Sequence, residues 1–109
     1  MGLSSNKPAK INSPLELARL CLKNGRYVVT YHAKVRQIER VVPLPDVIVA
    51  IETGLHEKNR DRFDEHHNTW SYSIRGKSTN RRELRVVISF DDKTQLLIIT
   101  VVVLKGKLL

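Results

Sequence analysis

Three basic side chains recur at four-residue intervals in one stretch of the chain: His32, Arg36 and Arg40. If this stretch is helical, side chains four apart lie above one another and form a continuous stripe. Cations at that spacing repel one another by about 0.2–0.5 kcal/mol per pair, so a bound anion or a neighbouring acid such as Glu39 would relieve them. Histidine exchanges protons near neutral pH, and arginine forks match phosphate oxygens. The stripe therefore predicts either a phosphate-handling surface or a solvated basic face paired with acids.

A second basic cluster lies around a hairpin predicted in the second half of the chain. Residues 68–76 alternate, with Trp70 and Tyr72 on the apolar face, and residues 81–90 alternate in the same way, which predicts two strands joined by a polar turn. The cations of this hairpin are Arg75, Lys77, Arg81, Arg82 and Arg85. Such crowding of one charge around one loop indicates a polyanionic partner.

Metal chemistry is not predicted. His66 and His67 are adjacent, and neighbours on a strand point to opposite faces, so they cannot easily share an ion. The single Cys21 excludes an intrachain disulfide and a cysteine metal cluster, and it fits a reducing compartment. We therefore expect no cofactor.

The composition places the chain among small globular domains. Its 109 residues are 41% hydrophobic and 28% charged, which suits a single modest core after a flexible lead-in at residues 1–12, with one domain at 13–109. The net charge of +8 favours a nucleic acid partner, although a basic but inert surface is the alternative. Residues 1–10 lack an apolar signal segment, and the longest apolar run is too short for a bilayer, so we expect a cytoplasmic protein without membrane contact.

The elements that must position these residues are organised around residues 95–104. Apart from Thr100, residues 96–104 are an unbroken run of Leu, Ile and Val, which predicts a central strand buried on both faces with Ile98 near its middle. A short strand is predicted at residues 26–30. Residues 55–67 are densely charged and predict an edge strand or an excursion over the sheet.

Three helices are predicted before that sheet. Ser13 and Glu16 form a capping-box pattern around Pro14, which predicts a helix over residues 14–23. Thr30 would cap a second helix over residues 31–41. Its buried face is predicted from residues at helical spacing: Tyr31, Val35, Ile38 and Val42. A third helix begins near Pro45 and ends at Gly54. The order of elements predicts an α+β fold.

Several of these motifs together resemble a known family. His32-x-x-x-Arg36-x-x-x-Arg40, a Pro-Asp-Val helix start, a helix-ending Gly54, an aromatic strand, an Arg-Val-Val strand and a final Ile-Ile-Thr-Val strand are similar to domain of unknown function 4258, over about residues 17–103. Such proteins resemble the RelE, ParE and BrnT toxins of toxin-antitoxin pairs. A looser similarity to the MqsR toxin comes from His67, three residues before Trp70.

The resemblance implies a RelE-like fold, with two or three N-terminal helices on a twisted, mostly antiparallel sheet of four or five strands. It implies a toxin that cleaves RNA without metal, by attack of a ribose 2′-hydroxyl. His32 would be the base or acid and four arginines would hold phosphate: Arg36, Arg40, Arg75 and Arg85. Further RNA contacts would come from Lys34, Lys77, Arg81, Arg82, His67, Trp70 and Tyr72, although core packing is the commoner role of such aromatics.

The implied partners are RNA, a small acidic antitoxin and the ribosome. Two alternatives remain open. One is a basic module that binds RNA, DNA or an acidic protein without catalysis, and the other is a toxin that acts on a protein target, as ParE does on gyrase. The sequence does not say whether the helix stripe and the hairpin arginines face one another across a groove.

Overall fold

A computed structural model describes residues 7–106 of the chain. The helices are α1 (Pro14–Lys23), α2 (Tyr31–Arg40) and α3 (Leu44–Thr53), with a short 3₁₀ helix at Lys58–Arg60. The strands are β1 (Tyr27–Val29), β2 (Leu55–His56), β3 (Arg62–Asp64), β4 (Thr69–Lys77), β5 (Glu83–Asp91) and β6 (Gln95–Lys105). The predicted α+β class is confirmed, but α2 and α3 follow β1, so the helices do not all precede the sheet.

The sheet has the strand order β1-β6-β5-β4-β2, and β3 pairs with β4 beside that path. Strands β4, β5 and β6 form an antiparallel meander, whereas β1 pairs with β6 in parallel. The described residues thus form six strands, where four or five were predicted. The short strands β2 and β3 account for the difference, since both come from the charged segment predicted as an edge or excursion.

Strand β6 lies inside the sheet, as predicted, between β1 and β5. Leu96, Ile98 and Val101 are fully buried in the core. Leu97 and Ile99 are only half-buried, so the prediction of burial on both faces is wrong. The core lies between the helices and one face of the sheet, and the opposite face carries polar side chains on β4 and β5, which the apolar run of β6 could not reveal.

Helix α1 has the predicted bounds but not the predicted cap. The Ser13 side chain makes no capping hydrogen bond, and Pro14 at the start of the helix is buried.

Helix α1 also binds the end of α3 through Arg19. Arg19 donates from Nε to the Ile51 carbonyl (3.2 Å) and from Nη2 to the Gly54 carbonyl (3.0 Å). A cation on α1 therefore satisfies carbonyls at the C-terminal end of α3, where the helix leaves them without partners.

Helix α2 buries a different face from the one predicted. Tyr31 is 83% exposed and Ile38 is 79% exposed, whereas Ala33 is fully buried. Of the predicted apolar face, Val42 is buried and Val35 is half-buried. The helix turns the side with the small Ala33 toward the protein because a small side chain allows the helix axis to approach β6 closely.

This approach lets α2 cover the edge of β6 that β1 is too short to pair. Thr30 donates its backbone N–H to the Ile98 carbonyl (3.1 Å) and its hydroxyl to the Ile99 carbonyl (3.3 Å). The same hydroxyl accepts the Ala33 N–H and so caps α2, as predicted. Arg40 donates to the Val101 carbonyl at the far end of the helix. The exposed acceptors of β6 are thereby satisfied by α2.

Helix α3 approaches β4 at two glycines. A Cβ at Gly54 or at Gly76 would fall well inside contact distance of the Ala50 carbonyl oxygen. Gly54 ends α3 as predicted, with an extended backbone (φ −86°). Its requirement for glycine comes from this close approach.

The described part of the predicted flexible lead-in, residues 7–12, lies against β4. The Tyr72 hydroxyl accepts the Ile11 N–H (2.8 Å), and the Trp70 Nε1–H donates to the Pro8 carbonyl (2.8 Å). Lys10 pairs with the buried Asp61 carboxylate (3.3 Å). Residues 1–6 of that prediction lie outside the described residues. Within residues 7–106, no helix has the length and apolarity to cross a bilayer.

Candidate functional site

The predicted stripe on α2 divides into three different environments. The side chain of His32 is exposed and makes no hydrogen bond among the described residues. Arg36 Nη1 donates to Glu39 Oε1 at 2.6 Å, which is the local pairing that the sequence left open. Arg40 binds the Val101 carbonyl of β6. The three side chains therefore do not present one uninterrupted basic surface, because two of them are already paired within the protein.

The two hairpin arginines predicted to bind phosphate are directly opposite one another. Arg75 on β4 and Arg85 on β5 are register partners, an arrangement in which like charges repel. Glu57, which follows β2, relieves this repulsion: Arg85 donates from Nε to Oε1 (2.6 Å) and from Nη2 to Oε2 (3.0 Å). Arg75 Nη1 lies 3.8 Å from Glu57 Oε2, and Arg75 also pairs with Glu83 (2.6 Å).

Glu57 reaches this position because its own N–H donates to the Ser73 carbonyl of β4 (2.8 Å), which fixes the backbone beside the sheet. The side chains of Glu57 and Arg85 are 17% and 16% exposed, so the pair is partly shielded from water. The hydrogen bond from Arg85 is the main cause that lowers the pKa of Glu57, with Arg60 and Arg75 adding to it. The same hydrogen bond raises the pKa of Arg85. Glu57 is therefore an ionised carboxylate among cations.

An open cleft of about 530 Å³ borders this group. Its walls are formed by the end of α3, by β2 and by the ends of β4 and β5. The lining residues are Thr53, Gly54, Leu55, His56, Glu57, Arg75, Gly76, Lys77 and Glu83. Lys77 is exposed and makes no ion pair among the described residues. We refer to the lining residues Glu57, Arg75, Lys77 and Glu83, together with Arg85, which binds Glu57 from behind the lining, as the cleft cluster.

The α2 stripe and the cleft cluster do not meet across a groove. Helix α2 lies along the outer edge of β6, whereas Arg75 is on β4, two strands further into the sheet. Neighbouring strands are about 4.8 Å apart, so roughly 10 Å of sheet separates these two strands. The predicted catalytic residues therefore fall into two separate sets.

Arg82, which was predicted to contact RNA, is buried. It is only 5% exposed, and its guanidinium donates from Nη1 to the Val41 carbonyl (2.6 Å) and from Nη2 to the Arg40 carbonyl (2.8 Å). Its Nε is buried and makes no hydrogen bond. The side chain thus satisfies the C-terminal carbonyls of α2. Arg81 and Lys34, by contrast, are exposed, and their predicted contacts with RNA stay a prediction.

The two aromatic residues predicted as base-stacking candidates pack against other residues of the protein. Tyr72 is buried in the core, and its ring packs 6.2 Å from that of Phe90. Trp70 is half-buried, packs edge-on against Phe63 (5.4 Å) and lies 4.8 Å from Lys10 Nζ. The N-terminal segment contributes to this cover, which a sequence pattern on β4 alone could not show.

Two histidine–aspartate pairs lie along the excursion. His67 Nδ1 is 2.7 Å from Asp64 Oδ2 in the exposed turn after β3, and this contact is the main cause that lowers the pKa of Asp64. His56 Nε2 is 2.7 Å from the buried Asp61 Oδ1, and its ring packs against Tyr72. Across residues 7–106, no group of three or more His, Cys, Asp or Glu side chains could hold a metal ion.

Comparison with known families decides the membership of the chain. A family model described as a domain of unknown function (DUF4258) matches residues 29–103. The chain belongs to this family. The region matched by the DUF4258 model runs from the end of β1 into β6, so it contains both the α2 stripe and the cleft cluster. No curated protein and no solved structure matches the chain. The resemblance to RelE-type toxins stays a prediction.

Sequence reasoning missed Glu57 as a member of the site. The available signal was weak, because Glu57 is one of four acids in a mixed-charge segment and its partner is 28 residues further along the chain. An acid near two opposed arginines is expected wherever strand register places them side by side. The sequence did not give the strand register that brings Arg75 opposite Arg85.

Proposed function

We propose that the chain is a RelE-like toxin that cleaves RNA without a metal ion, and that the cleft cluster carries the reaction. The observation behind this proposal is the position of the Glu57 carboxylate between Arg75 and Arg85 on the border of an open cleft. A carboxylate flanked by arginines combines a proton acceptor with cations that match phosphate oxygens. The arginines supply the positive charge that a metal would otherwise provide.

In the proposed reaction, Glu57 accepts the proton of a ribose 2′-hydroxyl. The 2′-oxygen attacks the adjoining phosphorus, and the bond from phosphorus to the 5′-oxygen breaks. Lys77, which lines the same cleft, donates a proton to the departing 5′-oxygen. The products are a 2′,3′-cyclic phosphate and a 5′-hydroxyl. Arg75 and Arg85 stabilise the charge that develops on the phosphate oxygens.

Substrate binding would activate Glu57. In the free protein the Arg85 fork holds the pKa of Glu57 below its ordinary value, so the carboxylate is ionised but weakly basic. A phosphate that takes over the Arg85 donors would remove the main cause of this depression. The pKa of Glu57 would then rise, and the carboxylate would become a better proton acceptor.

In this proposal His32 is not the base or acid that the sequence analysis expected. It is on α2, at the other side of β6 from the cleft cluster, and we assign α2 no chemical step. His56 lines the cleft but packs its ring against Tyr72, on the face of β2 opposite to Glu57. Neither histidine is needed to transfer a proton in the cleft.

The test is cleavage of an unstructured RNA by the purified chain in the presence of a chelator. We expect a 2′,3′-cyclic phosphate at the new 3′ end. Glu57→Gln should lower the cleavage rate by about 10²–10⁴-fold, the usual contribution of a general base. Arg85→Ala should also lose activity. His32→Ala is the matched control, since it removes the imidazole of α2 and should leave the rate within about twofold.

A loss of activity in His32→Ala with retention in Glu57→Gln would move the reaction to α2. Intact RNA at high protein concentration would refute cleavage. Growth arrest by the chain in cells, with transcripts intact, would indicate a protein target.

A second function is favoured by a specific observation. Both arginine forks of the cluster are already occupied by carboxylates, Arg85 by Glu57 and Arg75 by Glu83. A module that only binds RNA or an acidic protein would then use the unpaired cations, Lys77 and Arg81. Under this alternative, Lys77→Ala and Arg81→Ala would lower RNA affinity with a reduced salt dependence, and Glu57→Gln would not weaken binding.

A further inference from the structure

The Arg75 guanidinium lies between two carboxylates at the border of the cleft. Its Nη1 is 3.8 Å from Glu57 Oε2, whereas its other edge is held by Glu83, whose Oε1 lies 2.6 Å from both Nε and Nη2. Arginine presents such an edge to phosphate as readily as to carboxylate, because two parallel N–H donors match two oxygens. Two anion positions therefore share one arginine, and side chains of the chain itself fill both of them.

The fit of the carboxylate differs between the two anion positions of the cluster. Glu57 offers each of its oxygens to a separate donor of Arg85 (2.6 and 3.0 Å), which is the parallel arrangement that an arginine fork favours. Glu83 instead offers one oxygen to both donors of Arg75. The Arg75 side chain is 44% exposed, against 16% for Arg85, so water screens the pair with Glu83 more strongly. Glu83 is thus the carboxylate that an incoming anion displaces more easily.

The strand register gives a displaced Glu83 another partner. Glu83 lies opposite Lys77 on β4 and opposite Lys105 on β6. Cβ atoms of opposed residues are about 5 Å apart, which is within reach of a lysine and a glutamate side chain. Both lysines are exposed and make no ion pair among residues 7–106. If a phosphate took the Nε and Nη2 edge of Arg75, Glu83 could turn to Lys105, and Lys77 would stay available to the leaving oxygen.

We infer that this edge of Arg75 is a subsite for the phosphate next to the scissile one, and that Glu83 occupies the subsite until RNA binds. The inference rests on the proposed function, which brings the scissile phosphate to Glu57 and Arg85. Glu83 is two residues from Arg85 along β5, a distance of about 6.6 Å. Successive phosphates of an extended RNA strand have a similar separation. The substrate is accordingly an RNA strand with at least two phosphodiesters, which excludes a dinucleotide as the full substrate.

The experiment measures kcat/KM of the full chain for trinucleotides that have one ribose 2′-hydroxyl, so that cleavage marks the scissile phosphate. The second linkage is either a phosphodiester or a neutral methylphosphonate, on the 5′ or the 3′ side of the scissile one. The ratio of kcat/KM between the charged and the neutral form measures the contribution of the second phosphate. On one of the two sides, Glu83→Gln should raise this ratio about two- to fivefold over the parent chain, the fold-change that an exposed ion pair contributes.

Two further variants separate the subsite from a general effect of charge or folding. Glu16→Gln removes the same charge from an exposed side chain of α1, on the helical side of the sheet, and should keep the ratio of the parent chain. Glu83→Thr also lacks the carboxylate and suits a strand, so it should give the same rise as Glu83→Gln. Circular dichroism and thermal melts confirm that each variant is folded.

An unchanged ratio in both Glu83 variants, or an equal rise in Glu16→Gln, would overturn the subsite and leave Glu83 as a structural partner of Arg75. Cleavage by the parent chain would then still support the proposed function. If the parent chain cleaves none of the trinucleotides, the proposed function fails, and binding of an uncleavable 2′-O-methyl trinucleotide decides the subsite alone. Tighter binding by Glu83→Gln than by Glu16→Gln would retain the subsite for an RNA that is only bound, and equal binding would overturn it.

Discussion

Arg85 holds Glu57 through two donors of one guanidinium, at 2.6 and 3.0 Å from the two carboxylate oxygens. The contact joins β5 to the residue after β2, although β4 lies between those strands in the sheet. The ion pair therefore ties the β2 edge of the sheet to β5. The Glu57 carboxylate also offsets the repulsion between the opposed Arg75 and Arg85.

This pair predicts how stability depends on pH. The folded pKa of Glu57 is depressed, so its contribution is present above the unfolded pKa, about 4.3, and is lost as pH falls through the lower folded value. At neutral pH, Glu57→Gln should lower the free energy of unfolding by about 1.5–3 kcal/mol, since a charged hydrogen-bonded partner is removed from Arg85. Urea titrations at a series of pH values measure both effects.

Glu52→Gln provides the control, because Glu52 is exposed on α3 and makes no ion pair among the described residues. Its stability should change by less than about 0.5 kcal/mol. If Glu57→Gln and the parent chain lose stability in parallel below about pH 4.3, the pair does not contribute as argued.

The core position of Ile98 predicts a large effect of truncation. Ile98 is fully buried in the middle of β6, so Ile98→Ala should cost about 2–5 kcal/mol through lost burial and an unfilled cavity. Leu55→Ala, at a side chain that is mostly exposed, should change stability by less than about 0.5 kcal/mol. Denaturant melts of both variants measure the difference, and a loss below about 1 kcal/mol for Ile98→Ala would remove β6 from the centre of the core.

The contact between α3 and β4 predicts an effect at Gly76. A Cβ at this position would overlap the Ala50 carbonyl oxygen, which is backbone and cannot rotate away. Gly76→Ala should therefore displace α3 and destabilise the protein by about 1–3 kcal/mol, the usual cost of overpacking. Lys77→Ala, at the exposed neighbouring position, should be close to neutral. Equal melting temperatures for the two variants would show that α3 moves without cost.

The left-handed residue at the end of α2 predicts a stabilising substitution. Val41→Gly should raise the free energy of unfolding by about 0.5–1 kcal/mol, because relief of about 1–2 kcal/mol of strain exceeds the added freedom of the unfolded chain. Val29→Gly is the control in an extended strand and should destabilise. Thermal melts distinguish them, and a loss of stability in Val41→Gly would mean that its side chain contributes more by packing than it costs in strain.

Local patterns predicted most of the secondary structure. Alternation located β4 and β5, the apolar run located β6, and Gly54 marked the end of α3. The family was also predicted correctly from the His32 spacing and the order of the strands. These features depend on neighbours within a few residues, which is the range over which propensity and periodicity act.

The face of α2 could not be predicted in the same way. Its sequence offers two sides, one with Tyr31 and Ile38 and one with Ala33, and periodicity favours the larger apolar residues. The chosen side depends on β6, whose free carbonyls are bound by Thr30 and Arg40. Likewise, the burial of Arg82 depends on carbonyls about 40 residues earlier in the chain. The candidate site was predicted in part, since its arginines were identified and Glu57 was not.

The parallel pairing of β1 with β6 has a consequence for the order of folding. Tyr27 pairs with Leu96, a separation of about 70 residues, whereas the β4–β5–β6 meander is made of neighbours. Closing a loop of that length is entropically costly and slow, so the meander should form first and β1 with α2 should dock afterwards. During synthesis, α2 would thus be made before β6, and its apolar side chains would stay exposed to solvent until β6 forms. Substitutions in the β4–β5 hairpin should slow folding, and those in β1 should mainly speed unfolding.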